Sequence, residues 1–196
     1  MNEKDYDLTQ CGAIRGCPKS VVNIEQLAKN IELALGECHT DDHFHHKQQK
    51  LRMALSGCPN CCAQNLIKDL AAYGWAEPKV IDGNCIVCGL CVQTCRERAI
   101  SLKDNAPEID RNRCLTCGEC ILTCPSGALT KVADGLVVTA GGILGRHPQL
   151  AKTVRRFAFE EGQQLILNLL EKFKSSPRTG EAPGQAIIRV VQEEVG

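Results

Sequence analysis

The residues most able to do chemistry are the cysteines, 14 of them in a chain of 196 residues. Eight form two runs of one pattern, C-x2-C-x2-C-x3-C: Cys85, Cys88, Cys91 and Cys95, then Cys114, Cys117, Cys120 and Cys124. Three closely spaced thiolates can wrap one side of a 4Fe–4S cluster, and in two-cluster proteins the fourth thiolate comes from the other run. On that rule Cys85, Cys88, Cys91 and Cys124 hold one cluster, and Cys95, Cys114, Cys117 and Cys120 hold the other. The chemistry is one-electron transfer. Structural zinc is a competing use of cysteine, but it takes four ligands, usually as two C-x2-C pairs, which two three-plus-one runs fit poorly. A disulfide scaffold is the other competitor. Tight C-x-x-C runs cannot all reach distant partners without strain.

The two runs are copies. Cys85-Ile-Val-Cys-Gly-Leu-Cys-Val-Gln-Thr-Cys95 returns as Cys114-Leu-Thr-Cys-Gly-Glu-Cys-Ile-Leu-Thr-Cys124. A repeat this close implies two similar halves related by a pseudo-two-fold axis. Gly89 and Gly118 stand where backbone must approach cluster sulfur closely. Pro125 follows Cys124 as in the bacterial-type run, whereas Arg96 replaces the matching proline after Cys95. Residues 82–131 therefore read as a two-cluster ferredoxin domain. Its basic and acidic residues balance between Cys85 and Cys124, so it lacks a charged docking surface and suits an internal wire better than a mobile carrier.

Four further cysteines are spaced differently. Cys11 and Cys17 make one pair; Cys58 and Cys62 make another within Ser56-Gly57-Cys58-Pro59-Asn60-Cys61-Cys62. Two pairs from distant loops can supply the four thiolates of a third cluster. The alternative is four ordinary thiols, since free cysteine is among the most buried residue types.

The C-x5-C pair, the Ser-Gly-Cys-Pro-Asn-x-Cys motif and the segment Leu136-Val-Val-Thr-Ala-Gly-Gly-Ile-Leu-Gly-Arg-His-Pro148 resemble the sulfite and nitrite reductase haemoproteins, in particular their dissimilatory-type members. The resemblance covers nearly the whole chain, and the Ser-Gly-Cys-Pro-Asn motif is its most specific part. It implies that Cys11, Cys17, Cys58 and Cys62 hold a 4Fe–4S cluster and that Cys62 also bridges to the iron of a sirohaem. It implies an oxidoreductase that reduces a sulfur or nitrogen oxyanion. The alternative function is a non-catalytic electron-transfer subunit without sirohaem.

Members of that family are built from two related halves around the sirohaem, and this chain matches only the C-terminal half plus the ferredoxin insert. The resemblance thus implies a second subunit or a second copy supplying the missing half, together with an electron-donor protein or redox enzyme as partner. No catalytic residue can be carried over. An oxyanion needs converging cations; Arg15, Lys50 and Arg52 are the basic residues nearest the motifs in sequence, against the ordinary expectation that such charges are solvated.

These groups must be positioned by an α+β framework. Residues 1–81 and 132–196 are expected to form one discontinuous domain, with residues 82–131 inserted where the insert's ends lie close together. The stripe Val21, Ile24, Leu27, Ile31 and Leu35 predicts a helix over Ser20–Gly36. Leu51–Leu55 predicts a buried strand running into a tight turn at Ser56-Gly57. Cys62–Ala72 is expected to be helical, ended by Gly74, and Lys79–Ile81 to be a short strand. Leu136–Thr139 reads as β, Gln149–Lys174 as a long amphipathic helix opened by Pro148, and Ala186–Val195 as a last helix.

Composition removes other classes. The chain has 23 basic and 23 acidic residues and 4% aromatics, which offers neither an electrostatic footprint for nucleic acid or anionic membrane nor stacking platforms. No apolar run reaches the length of a membrane span, and the polar start, Met1 to Gln10, lacks an apolar signal segment. Reduced thiols on metal fit a cytoplasmic setting. The cluster His39, His43, His45 and His46 is irregular in spacing and polar in context, so it reads as a solvated loop. Cys38 and Cys61 remain over; Cys61 is expected to pack beside the cluster loop. Trp75 is expected to be a packing residue.

Overall fold

The computed structural model describes residues 6–36, 50–176 and 180–195. The histidine cluster and Cys38 lie outside these residues.

The apolar stripe forms helix α1 (Glu25–Leu35), which buries Leu27, Ala28, Ile31 and Leu35. It starts later than Ser20 because the preceding residues have other partners. The Val21 N–H donates to Gly57 O at 2.9 Å, and Asn23 Oδ1 accepts from the Glu25 N–H. That side-chain acceptor satisfies a donor the helix start would otherwise leave unpaired.

A five-stranded sheet carries the larger unit: β1 (Tyr6–Gln10), β2 (Leu51–Ser56), β3 (Leu70–Val80), β6 (Leu129–Ala140) and β7 (Lys152–Ala158), in that spatial order. The first three strands are parallel; β3–β6 and β6–β7 are antiparallel. Helix α1, helix α4 (Phe159–Ser175) and helix α5 (Pro183–Val195) pack on one face. Met53, Leu55, Leu70, Ala72, Leu136 and Val138 point into that core. Fully burying each such large aliphatic side chain contributes about 1.5–3 kcal/mol. By strand alternation, Ala54 and Ala71 face the other way, where Ala63 from the β2–β3 connection covers them.

Two helical expectations give way here. Residues 62–69 are loop with one short 3-10 turn, Asn65–Ile67, and the chain is already strand at Leu70. The spacing of Leu66, Ile67 and Leu70 imitates a helical stripe. Yet Leu66 is exposed while Leu70 is buried opposite Met53. Gly74 lies inside β3 instead of ending a helix. A Cβ there would stand 2.4 Å from Val22 Cγ2 and 2.5 Å from Gly57 O. The long helix expected from Gln149 begins at Phe159, because Lys152–Ala158 pairs with β6 as an edge strand. The strand β1, which the polar N-terminal reading omitted, pairs Tyr6–Gln10 with Leu51–Leu55.

The long β3–β6 ribbon extends past the helices and carries residues 82–128 at its far end. Ala133↔Glu77 and Leu129↔Val80 are paired there, with a bulge between Glu77 and Pro78. The repeat folds as α2 (Leu90–Thr94), a hairpin of β4 (Ile100–Lys103) and β5 (Ala106–Ile109), and α3 (Glu119–Thr123). It has its own small core of Cys91, Ile100, Cys120 and Leu129. Among the described residues no helix is long and apolar enough to cross a membrane.

Candidate metal centres

Every cysteine among the described residues is a free thiol. Among those residues no three metal-binding side chains converge closely enough for a single ion; the thiols surround cavities instead. Cys85, Cys88, Cys91 and Cys124 line one small hollow. Cys95, Cys114, Cys117 and Cys120 line a second, of about 120 Å³. Each cavity thus draws three thiols from one run and the fourth from the other.

Electrostatics groups the same sets. Burial pushes the Cys120 thiol up to about 12, and the neighbouring Cys117, Cys114 and Cys95 add to that. Burial likewise raises Cys91, with Cys124 and Cys85 contributing. Burial also opposes ionisation of Cys124, but the N–H groups around it, first that of Leu129, outweigh it and lower this thiol. Neutral thiols crowded together in apolar surroundings resist ionisation; a metal ion reverses that preference by binding the thiolate. The donor set, four sulfurs around an enclosed space, fits an iron–sulfur cluster.

The loops owe their shape to left-handed backbone. Val87 and Gly89 have φ of 57° and 72°, and Thr116 and Gly118 repeat this with 53° and 73°. Each glycine then starts a five-residue helix that brings the third cysteine inward.

Cys11, Cys17, Cys58 and Cys62 also meet. Burial raises the Cys58 thiol, a hydrogen bond from the Asn60 backbone opposes this, and the thiols of Cys11, Cys62 and Cys17 raise it further. Cys11 is reached by two backbone donors, Gly57 N at 3.3 Å and Ala13 N at 3.4 Å. The Asn60 amide donates to Cys62 Sγ at 3.0 Å, and Cys62 itself is exposed. Cys61 sits among them with φ of 49°, its thiol pushed by burial to about 11, with Cys58, Cys62 and Cys11 adding to the rise.

Close packing brings the two cysteine loops together. A Cβ on Gly57 would lie 2.0 Å from Ser20 Oγ and 2.8 Å from Ala13 Cβ, so only glycine permits the Cys11–Cys17 loop to seat there. Beneath the Cys58–Cys62 loop, the fully buried Asn65 donates to Ala72 O at 2.8 Å and meets Ser56 Oγ at 2.6 Å. Ser56 Oγ in turn accepts from Ala63 N. Asn65 pins the loop to β2 and β3. Its role was invisible in sequence because the motif ends three residues earlier.

The cavity of the second repeat copy opens on this site. Cys58, Pro59, Asn60 and Lys19 form its opposite wall. Lys19 Nζ pairs with Glu119 Oε1 at 2.6 Å across the junction, and Ala76 N donates to Thr116 O at 2.8 Å.

The basic residues nearest in sequence are placed elsewhere. Arg52 lies at the far end of β2 and forks onto Asp69, with Nη2–Oδ1 at 2.7 Å and Nε–Oδ2 at 3.2 Å. Its third contact is Gly142 O. Lys50 lines a separate cavity with Arg52 and Asp69. Arg15 is exposed at the end of the turn Gly12–Arg15. The cation that does line the cysteine cavity is Lys19, beside Cys58.

Comparison with known proteins agrees with this arrangement. Residues 6–183 match the family model described as the nitrite and sulphite reductase 4Fe-4S domain. The coenzyme F420-dependent sulfite reductase of Methanocaldococcus jannaschii is 30% identical over 189 residues, covering 95% of this chain and 28% of that protein. A subunit of the anaerobic sulfite reductase of Salmonella typhimurium is 30% identical over 171 residues, covering 84% of this chain and 48% of that one. The chain spans less than half the length of these curated relatives. In fold it is similar to dissimilatory sulfite reductase I, with TM-score 0.64 and 18% identity over 96% of this chain and 50% of that one. The NirA protein of Mycobacterium tuberculosis is also similar, with TM-score 0.50 and 18% identity over 96% of this chain and 26% of that one. The chain belongs to the nitrite and sulphite reductase 4Fe-4S domain family, a family of iron–sulfur proteins.

Proposed function

We propose that the chain is the iron–sulfur part of a sulfite- or nitrite-reductase-type oxidoreductase. It conducts electrons from the repeat segment, acting as a ferredoxin-type domain (residues 82–131), to a third centre that serves oxyanion reduction. In this reading Cys85, Cys88, Cys91 and Cys124 hold an outer 4Fe–4S cluster. Cys95, Cys114, Cys117 and Cys120 hold an inner one, and Cys11, Cys17, Cys58 and Cys62 hold the third. Cys62 also ligates the iron of a sirohaem. The observation that carries the reading is the shared cavity: the thiols of the inner set and the Cys58–Asn60 turn face each other across one space.

Clusters bound by these thiolates would supply one-electron transfer, and a sirohaem on Cys62 would supply the site of oxyanion reduction. The protein's own part is to hold the thiols in register. Asn65 and Gly57 fix the Cys58–Cys62 turn against the Cys11–Cys17 loop. The Asn60 amide donates to Cys62 Sγ and orients that side chain. Exposure of Cys62 leaves room for a shared ligand. A second subunit, or a second copy of the chain, completes the site over the helix-free face, and an electron-donor protein serves the outer cluster. The Salmonella relative is named as one subunit of a reductase, which is consistent with such an assembly.

The test is anaerobic purification followed by iron and labile-sulfide analysis and an absorption spectrum. Three clusters, about twelve irons per chain, together with tetrapyrrole bands support the proposal. Three clusters without such bands leave a non-catalytic electron-transfer subunit. Two clusters refute the assignment of Cys11, Cys17, Cys58 and Cys62. In a tetrapyrrole-containing preparation, Cys62→Ser should abolish coupling between haem and cluster, and an unchanged spectrum refutes the bridging role.

A further inference from the structure

The three proposed clusters use every cysteine among the described residues except Cys61. This thiol is half-buried and closes a C-x-x-C turn of its own, Cys58-Pro-Asn-Cys61. The Cys61 N–H donates to Cys58 O at 3.3 Å. A bond from the fourth residue of a turn back to the first keeps their Cα atoms under about 7 Å apart. A disulfide asks for about 4.4–6.8 Å. Pro59 fixes φ at the second turn position, and Cys61 has left-handed backbone. The turn is tied down on its far side as well, since the Gln64 N–H donates to Cys61 O at 2.9 Å. Of the sulfurs that act on Cys61, that of Cys58 acts most strongly, ahead of Cys62 and Cys11.

Other pairings of the same sulfurs are less well prepared. Cys61 and Cys62 are adjacent, and Cα atoms about 3.8 Å apart across a trans peptide are too close for a relaxed disulfide. Cys62 Sγ is exposed and held by the Asn60 amide at 3.0 Å. Cys11 Sγ accepts from Gly57 N and Ala13 N, which keeps it in its own loop.

We propose that Cys58 and Cys61 form a dithiol switch: when the third cluster is absent they close to a disulfide, which withdraws Cys58 from the ligand set. The oxidant is a small disulfide of the glutathione type. Its S–S bond breaks, and its two halves leave as thiols carrying the protons of Cys58 and Cys61. The two electrons that reduce it come from the protein sulfurs, which gain one S–S bond between them. A dithiol reductant reverses the exchange. While the bond is closed, Cys58 is shielded from the higher oxidation states that thiols do not readily leave. An iron-bound Cys58 cannot take part, so the bound cluster itself keeps the switch open. The withdrawal of a ligand rests on the function proposed above; the disulfide rests on the turn.

The full chain, purified without oxygen, is divided, and one portion is stripped of iron with a chelator. Both portions receive glutathione disulfide without oxygen, and free thiols are then alkylated. The tryptic peptide spanning residues 53–68 holds Cys58, Cys61 and Cys62. From the stripped portion it should be lighter by two hydrogens and alkylated once, on Cys62. From the iron-bearing portion it should be alkylated at all three cysteines. Iron and sulfide are then returned to the oxidised, stripped chain. The parent should load about four fewer irons than Cys61→Ser after the same oxidation, a gap that dithiothreitol closes. A ring through Cys62, a glutathione adduct without a ring, or three alkylated cysteines in the stripped parent overturns the proposal. These readings come from the parent chain and need no variant. A Cys58–Cys61 ring with equal iron loading in parent and variant supports the disulfide and instead removes Cys58 from the third centre.

Discussion

The two copies of the cysteine repeat are nearly identical in backbone and live in opposite surroundings. Each has a positive-φ residue, a positive-φ glycine and a five-residue helix. In the first copy Val87 is 44% exposed and a Cβ at Gly89 would meet open space. In the second, Thr116 is 7% exposed and a Cβ at Gly118 would stand 2.6 Å from Val21 Cγ1 and 3.2 Å from Ala76 Cβ. The second copy is docked onto β3 and the segment holding Lys19 and Val21. The first presents Ile86, Val87, Leu90 and the exposed Cys88 to solvent. Local sequence builds the cysteine loop, and docking decides which of two equal loops becomes the interior one.

The largest test of that contrast is alanine at the two glycines. Gly118→Ala should cost about 2–5 kcal/mol, combining left-handed strain with overpacking against Val21 and Ala76. Gly89→Ala should cost only the strain, about 1–2 kcal/mol. Urea denaturation of both variants measures the gap, and equal losses would show that the two environments are energetically alike. Next in size is Asn65→Leu, which leaves the backbone acceptor Ala72 O and the donor Ser56 Oγ without their partner. A loss of about 1–3 kcal/mol is expected, with iron lost from the Cys11, Cys17, Cys58 and Cys62 site and retained by both repeat copies. Equal iron loss at all three positions would contradict a local role for Asn65.

If the clusters are held as proposed, stepwise oxidation with ferricyanide should bleach the outer one, at Cys85, Cys88, Cys91 and Cys124, before the inner one. Spectra resolved by spin-relaxation behaviour follow the order, and simultaneous loss would mean that burial of the inner loop gives no protection. The smallest effect is expected from Lys19→Ala. The pair with Glu119 is partly exposed, 47% and 25% for the two side chains, so its removal should change stability by about 0–1 kcal/mol. If the ion pair holds the junction in register, electron exchange between the inner and third centres should slow, while exchange between outer and inner centres stays unchanged.

Elements with a one-sided apolar pattern were legible in advance. The stripe Leu27, Ile31 and Leu35 and, in the last helix, Ile187 pack into the core as their apolar pattern implied, while Val190 is buried there in place of Ile188. Strand β2 was legible because Leu51, Met53 and Leu55 alternate toward the helices. Strands β3 and β7, like β1, were not. β3 opens with Leu70-Ala71-Ala72, buried on both faces as parallel strands are, so it shows no alternation. β7 is an edge strand with Arg155 and Arg156 on its two faces, each stacked on an aromatic ring. In sequence those arginines read as the polar side of a helix.

At the site, the sequence by itself determined which thiols are neighbours within each run and pair, because spacing along the chain is a local property. It also supplied the glycines at 57, 89 and 118 that let backbone pass without a Cβ. Only the tertiary structure decided how the groups are ordered in space. Packing set Lys19 beside Cys58, whereas Arg52, near the motif in sequence, is held by Asp69 at the other end of the strand. Docking set the second repeat copy against Cys58 and left the first outside. Those relations join residues far apart in the chain, and only packing between elements brings such residues within reach of one another.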